Sequence, residues 1–146
     1  MRCCATLTTQ HFINTAQLQL QVYKHVLREV KKTRQIKGEY KRRWFSSQNS
    51  DLVVWYDKNN KLVGFQLCYD KVGDEKSYTW KYGSSSEHVG VDTGECVGMN
   101  IKQTPVLVPD GAPDYRYIKE VFLSESFKLP KDIIDMVRYA LSNENS

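Results

Sequence analysis

The stretch between residues 51 and 82 constrains the fold more than any other, because apolar side chains alternate there with polar or small ones. Its first segment, DLVVWYD, places every second side chain from Leu52 to Tyr56 on one face of an extended strand. Two further segments, KLVGFQLCYD and EKSYTWKYG, alternate in the same way, and polar turns separate the three. The pattern predicts an antiparallel meander of three strands. We expect its large rings to be buried in the core: Trp55, Phe65 and Trp80.

The N-terminal part of the chain has apolar residues at spacings of three and four, from Ile13 to Val30. This spacing predicts an amphipathic helix over residues 9–32. The apolar stripe of such a helix can pack on the sheet, or it can form a seam between two copies of the chain, so a homodimer through this helix stays open. The chain has 146 residues, a length typical of one domain, and we expect 1–146 to fold as a single domain.

The rest of the chain completes an α+β fold. Residues 51–108 supply the sheet, in which a short strand near 105–108 joins the meander of 51–82. Residues 114–142 supply two C-terminal helices, and Asp114 is suited to cap the first of them. The predicted fold class is therefore α+β: an antiparallel sheet of three to five strands with a long N-terminal helix and two C-terminal helices.

The composition bears on the location of the protein. No run of apolar residues is long enough to cross a bilayer, and the N-terminus lacks the apolar core of a secretory signal. The four cysteines form no C-x-x-C pair, so we expect reduced thiols rather than a disulfide framework. These features predict a cytoplasmic protein with no membrane partner.

Positive charge is concentrated in one part of the chain. Residues 24–43 hold nine basic and two acidic side chains, a formal charge of +7, whereas residues 44–146 hold eleven basic and fifteen acidic side chains, a charge of −4. Aromatic rings at Tyr40, Trp44 and Phe45 interleave with these cations, and this combination can neutralise phosphates and stack on bases. The alternative is a helix end with solvated cations, from which the last two of these rings enter the core.

These charges predict a small, non-enzymatic binding module that contacts nucleic acid through the basic and aromatic segment 33–50 and the residues just before it. Reversing Arg42 and Arg43 to Glu is expected to weaken binding and to leave the fold intact. The predicted contacts are Lys31, Lys32, Arg34, Lys37, Lys41, Arg42, Arg43 and Trp44.

Two other classes of function remain open. The first is a protein-interaction or regulatory domain that uses a helix-mediated dimer or an open edge of the sheet. The second is a small enzyme with a site in the loop 83–103, where His88 and Cys96 lie, together with the carboxylates of the turn 70–75. Neither cysteine nor histidine spacing matches a metal site, so the sequence predicts no metal, no cofactor and no catalytic residue.

Five short motifs stand in order along the chain: RRWF at 42–45, DLVVWYD at 51–57, GFQLCYD at 64–70, TW at 79–80 and PVLVPDG at 105–111. Together they resemble a pattern in a family of small, uncharacterised bacterial proteins described only as hypothetical. The likeness spans about residues 40–141 and leaves the N-terminal helix outside the shared part. The resemblance implies a bacterial cytoplasmic protein with an intact domain, and it implies no activity and no site residue.

Overall fold

The computed structural model describes residues 17–18, 24–92, 106–109 and 111–144. Seven strands in these residues form one sheet, in which each strand pairs antiparallel with its neighbour in the chain. Two helices follow the last strand. The elements are β1 (Arg28–Glu29), β2 (Lys41–Ser46), β3 (Asp51–Tyr56), β4 (Leu62–Tyr69), β5 (Lys76–Lys81), β6 (Glu87–Asp92), β7 (Val106–Pro109), α1 (Tyr115–Glu125) and α2 (Lys131–Asn143).

The core lies between one face of the sheet and the two helices. Alternate side chains of β3, β4 and β5 point to this side and are buried, and we call it the covered face: Leu52, Val54, Phe65, Leu67, Tyr78 and Trp80. They pack in one cluster with Ile118 and Phe122 of α1 and with Ile133 and Val137 of α2. Burial of each of these large apolar side chains contributes about 1.5–3 kcal/mol, so this cluster is the main source of stability.

Local signals set the ends of the helices. The Asp114 carboxylate accepts a hydrogen bond from the backbone N–H of Tyr117 at 3.1 Å, which caps α1 as predicted. Pro130, with φ at −54°, immediately precedes α2. Both predicted C-terminal helices are confirmed, as are the three strands of the 51–82 meander.

The prediction of a long N-terminal helix was wrong. Leu27 is buried in the core, Arg28 and Glu29 form strand β1, and the backbone N–H of Val30 donates to the carbonyl of Trp44 at 2.8 Å. Apolar residues at spacings of three and four are therefore not specific to a helix. Here the backbone N–H and C=O groups bond to β2 instead of within a helix. Most of the remaining predicted helix, 9–16 and 19–23, lies outside the described residues, and a homodimer through this part of the chain stays a prediction.

The predicted number of strands was also wrong, because the described residues form a sheet of seven strands instead of three to five. Strand β2 lies in the basic and aromatic segment 33–50, for which no strand was predicted, and β6 lies within the loop predicted for 83–103. The charged side chains of β2 conceal its alternation: Lys41, Arg43 and Phe45 share one side of the sheet, while Arg42 and Trp44 share the other. In the described part of the chain, no helix is long and apolar enough to cross a membrane.

The other side of the sheet we call the outer face. The strand register places two rows of residues across it, one containing Arg42, Trp55, Gly64 and Lys81 and the other containing Trp44, Val53, Gln66 and Thr79. Trp55 is therefore not a core residue, and its expected burial beside Phe65 and Trp80 was wrong for this ring alone. Both described helices pack on the covered face.

Candidate nucleic-acid interface

The basic segment forms a hairpin. Strands β1 and β2 pair directly, and the loop between them, residues 30–40, carries four of the nine cations of the segment 24–43. Two residues of this loop, Lys32 with φ at 67° and Gly38 with φ at 90°, adopt left-handed backbone conformations that reverse the chain. The Thr33 hydroxyl donates to the carbonyl of Val30 at 3.2 Å and closes the first turn. The cations therefore project from an ordered hairpin that continues the sheet.

The side chain of Gln35 holds the loop against β2. Its amide nitrogen donates to the Arg42 carbonyl at 2.8 Å, and its amide oxygen accepts from the Arg42 backbone N–H at 2.9 Å. This pair of bonds reproduces the contact that a neighbouring strand would make. The Arg42 side chain also donates through Nε to the Arg34 carbonyl at 3.1 Å. Its two Nη groups make no hydrogen bond to any described residue, so they stay available to an anion.

Arg43 has a structural role instead. Its Nε and Nη2 groups donate to the two carboxylate oxygens of Glu29 at 2.7 and 2.8 Å, and its Nη1 lies 3.4 Å from the Tyr56 hydroxyl. The guanidinium also lies over the Phe45 ring, 5.1 Å from its centroid. The hydrogen bond from Arg43 holds the pKa of Glu29 below its ordinary value, although partial burial opposes this shift. Arg43 therefore joins β1 to β2, and its charge is neutralised by Glu29.

A cationic and aromatic row crosses the outer face next to the hairpin. Arg42 pairs with Trp55, Trp55 with Gly64, and Gly64 with Lys81. The Lys81 ammonium lies 4.8 Å from the centroid of the Trp55 ring. A Cβ on Gly64 would lie 2.8 Å from Cγ of Lys81, so the lysine side chain passes across Gly64 to reach the ring.

A cleft of about 780 Å³ opens at one end of this row. It lies between the 38–42 segment and the β3–β4 turn, where a register shift after Trp55 marks a bulge in β3. Its lining combines three aromatic rings, four cations and two carboxylates. One of the carboxylates, Asp57, accepts backbone hydrogen bonds from Asn59 at 2.8 Å and Lys61 at 2.9 Å, and so closes the turn. The rings and cations are Tyr40, Trp55, Tyr56, Lys41, Arg42, Lys58 and Lys81.

A second cleft of about 540 Å³ lies against the hairpin itself. Lys31, Lys32, Lys41, Arg42 and Arg43 line it together with uncharged residues and Glu29. Lys41 and Arg42 line both clefts, so the two spaces adjoin at the start of β2. An anionic chain lying along this junction would meet cations on both sides.

The structure brings together some of the predicted contacts and separates others. Lys31, Lys32, Lys41 and Arg42 converge on the two clefts, whereas Arg34 and Lys37 are exposed on the loop and line neither. Trp44 is 39% exposed on the outer face, in the row next to that of Arg42.

Three residues of this surface were missed by the sequence analysis: Trp55, Lys58 and Lys81. The alternation within β3 separates Trp55 from the core residues Val54 and Tyr56, and this signal was sufficient to place its ring on the other face. The position of Lys81 beside Trp55 depends on the pairing of β4 with β5, which the sequence does not specify.

A different group of polar residues lies near β6, where an enzyme site was considered. The Tyr69 hydroxyl and the Nε2 atom of His88 are 2.7 Å apart, and the two rings stack with centroids 6.1 Å apart. The Tyr117 hydroxyl donates to the carboxylate of Asp70 at 2.9 Å, which raises the pKa of Tyr117. Cys96 lies outside the described residues. Across residues 24–92 and 111–144, no three His, Cys, Asp or Glu side chains are placed to share a metal ion.

No family model, no curated protein and no solved structure matches this chain. The resemblance to small bacterial proteins therefore stays a prediction. Any function has to be inferred from the geometry and charge of the described residues.

Proposed function

We propose that this protein binds nucleic acid through the β1–β2 hairpin and the adjoining part of the outer face. The observation that carries the proposal is the row in which Arg42, Trp55 and Lys81 lie side by side, at the junction of two clefts lined by further lysines. Cations neutralise phosphates, and an aromatic ring between them offers a surface to a base.

The distribution of charge supports the same class of ligand. The hairpin segment 24–43 carries a formal charge of +7, and residues 44–146 carry −4, so the field of the protein favours approach of a polyanion at one end of the sheet. Among the described residues, close carboxylates neutralise only one of the cations in β2, Arg43. The cytoplasmic location and bacterial origin expected from the sequence are compatible with this role and stay predictions.

The test is binding of fluorescently labelled DNA and RNA across a salt series. In one variant, Lys41→Glu and Arg42→Glu are combined, because these two residues line both clefts. The matched control combines Lys128→Glu and Lys131→Glu, which reverse two exposed lysines next to α2. A Glu at the first position of a helix is also compatible with the helix dipole.

We expect affinity to fall steeply with salt, with a log–log slope of about 0.7–0.9 for each phosphate contacted. The Lys41/Arg42 variant should bind at least about tenfold more weakly and show a shallower slope, while the control variant binds like the wild type. Absence of binding at low salt, or equal loss in both variants, would contradict the proposal.

Arg43 is left unchanged in this test. The sequence suggested that reversing it would spare the fold, but Glu at this position would face Glu29 across the β1–β2 pair. Loss of binding in an Arg43→Glu variant would therefore not separate a contact to the ligand from damage to the hairpin.

A further inference from the structure

Two tryptophan rings lie on the outer face in adjacent rows. Trp44 of β2 pairs with Val53, and Trp55 follows Val53 by two residues in β3, so the tryptophans are diagonal neighbours on one face. Such neighbours have Cα atoms about 7–8 Å apart, within reach of large side chains. Trp44 is 39% exposed, whereas the third tryptophan, Trp80, is 8% exposed in the core. The two outer rings thus form a platform separate from the core aromatics.

A cation lies on each side of this platform, in the same row as Trp55. Arg42 lies one strand from Trp55 on one side, and Lys81 lies two strands away on the other, with Gly64 between them. Neighbouring strands are about 4.8 Å apart, so the Cα atoms of the two cations are about 14 Å apart across the platform. A base lying on the rings would have a cation available for phosphate on either side.

We propose that the ligand of the outer face is single-stranded nucleic acid, with bases stacked on Trp44 and Trp55 and with neighbouring phosphates held by Arg42 and Lys81; this inference rests on the proposed function. Every base has an aromatic face, so such stacking tolerates many sequences. The Lys81 ammonium, which lies over Trp55 in the free protein, moves to a phosphate when a base takes its place on the ring.

A duplex fits this surface less well. Its base faces are already stacked on one another, and its base edges are read by a helix or a β-ribbon that enters a groove. Both described helices pack on the covered face, away from the cationic row. The β1–β2 hairpin is the one described element of suitable shape for a groove, and preference for a duplex would assign the contact to that hairpin.

The experiment compares three probes at one salt concentration. They are a single-stranded oligo(dT) of roughly 12 nucleotides, within the range of site sizes for single-strand-binding domains, an abasic strand of equal length, and a duplex. Binding is followed by competition and by intrinsic tryptophan fluorescence. The variants are Trp44→Ala, which removes an exposed ring, and Phe127→Ala as control, which removes an exposed ring between α1 and α2.

We expect oligo(dT) to bind more tightly than either competitor and to quench tryptophan fluorescence. Trp44→Ala should weaken oligo(dT) binding by at least about fivefold, the lower end of the effect of base–aromatic stacking, and leave the affinity for the abasic strand unchanged. Phe127→Ala should bind like the wild type.

The outcomes separate this inference from the proposed function. If the abasic strand or the duplex binds as tightly as oligo(dT), and Trp44→Ala has no effect, the stacking inference is wrong while nucleic-acid binding stands. If none of the three probes binds at low salt, the proposed function itself is wrong. Circular dichroism of Trp44→Ala confirms that any loss of binding occurs in a folded protein.

Discussion

The two faces of strands β3 to β5 are built from alternate residues of the same segments, yet they differ in almost every property. The covered face presents aliphatic and aromatic side chains such as Leu52 and Phe65, which are fully buried against α1 and α2. The outer face presents Trp55, Gln66 and Lys81. Trp55 and Gln66 are partly exposed, Lys81 is exposed, and the Lys81 ammonium lies over the Trp55 ring. Adjacent residues of a strand therefore have different roles: one contributes to stability, and the next is available to a ligand.

The difference also shows how the chain accommodates a strongly charged strand. In β2, Phe45 enters the core, while Arg43 on the same side is neutralised by Glu29 of the edge strand β1. Arg42 points to the outer face, where it has no carboxylate within ion-pair distance among the described residues. Charge is thus paired where it serves the fold and left unpaired where the proposed ligand would lie.

The largest expected effect tests whether side chains on the covered face contribute more to the stability of the protein than side chains on the outer face. Phe65→Ala should lower the free energy of unfolding by about 3–5 kcal/mol, because it removes a fully buried ring and leaves a cavity. Trp44→Ala, on the outer face, should lower it by less than about 1 kcal/mol. Urea denaturation of both variants measures this. A comparable loss in the two would mean that the outer face is packed as tightly as the core.

A smaller loss of stability is expected at Gly64, where the Lys81 side chain passes close to the backbone of β4. A Cβ there would lie 2.5 Å from the Trp80 carbonyl oxygen and 2.8 Å from Cγ of Lys81, so Gly64→Ala should destabilise the protein by about 1–3 kcal/mol. Gly73→Ala is the matched control, because no atom lies within 4 Å of its added Cβ, and it should change stability by less than about 0.5 kcal/mol. Thermal or urea unfolding distinguishes the two, and equal effects would contradict the close approach of Lys81.

The smallest expected effect is the change with pH in the stability that the Glu29–Arg43 ion pair contributes. The pKa of Glu29 is below its ordinary value of 4.5 in the folded protein, so the unfolded chain binds more protons between the two values. The stability contributed by the pair is therefore complete above about pH 4.5 and is lost as the pH falls through the lowered pKa. The side chains are 31% and 47% exposed, so this contribution is below about 1 kcal/mol and is reduced by salt.

Urea unfolding of the wild type and of Glu29→Gln between pH 6 and pH 3 checks this prediction. The difference in unfolding free energy between the two proteins should shrink as the pH falls. A difference that stays constant over this range would show that the carboxylate charge does not stabilise the β1–β2 pair.

Patterning alone predicted much of the fold. Strict alternation identified β3, β4 and β5, and the helical spacing together with Asp114 identified α1 and α2. It failed where apolar spacing was ambiguous or concealed by charge. Leu27 and Val30 fit a helical stripe, but Leu27 is buried in the core beside strand β1, and the backbone of Val30 bonds to Trp44. The alternation of β2 was concealed because half of its side chains are cationic.

The candidate site was predicted only in part, for a related reason. Residues such as Lys41 and Arg42 were found because they adjoin one another in a basic segment. Lys58 and Lys81 lie in an otherwise neutral to acidic part of the chain, and no local signal connects them with the basic segment. The same limitation led to Arg43 being assigned to the ligand, because its partner Glu29 lies fourteen residues away along the chain.

The sequence by itself determined that β3, β4 and β5 are extended, where α1 and α2 lie, and that positive charge concentrates between residues 24 and 43. These properties depend on neighbouring residues, whose periodicity and charge can be read directly from the chain. The tertiary structure alone decided that Arg43 pairs with Glu29, that Trp55 faces outward beside Arg42, and that Lys81 reaches it across Gly64. These contacts depend on strand register, which is set by the packing of the whole covered face against the helices.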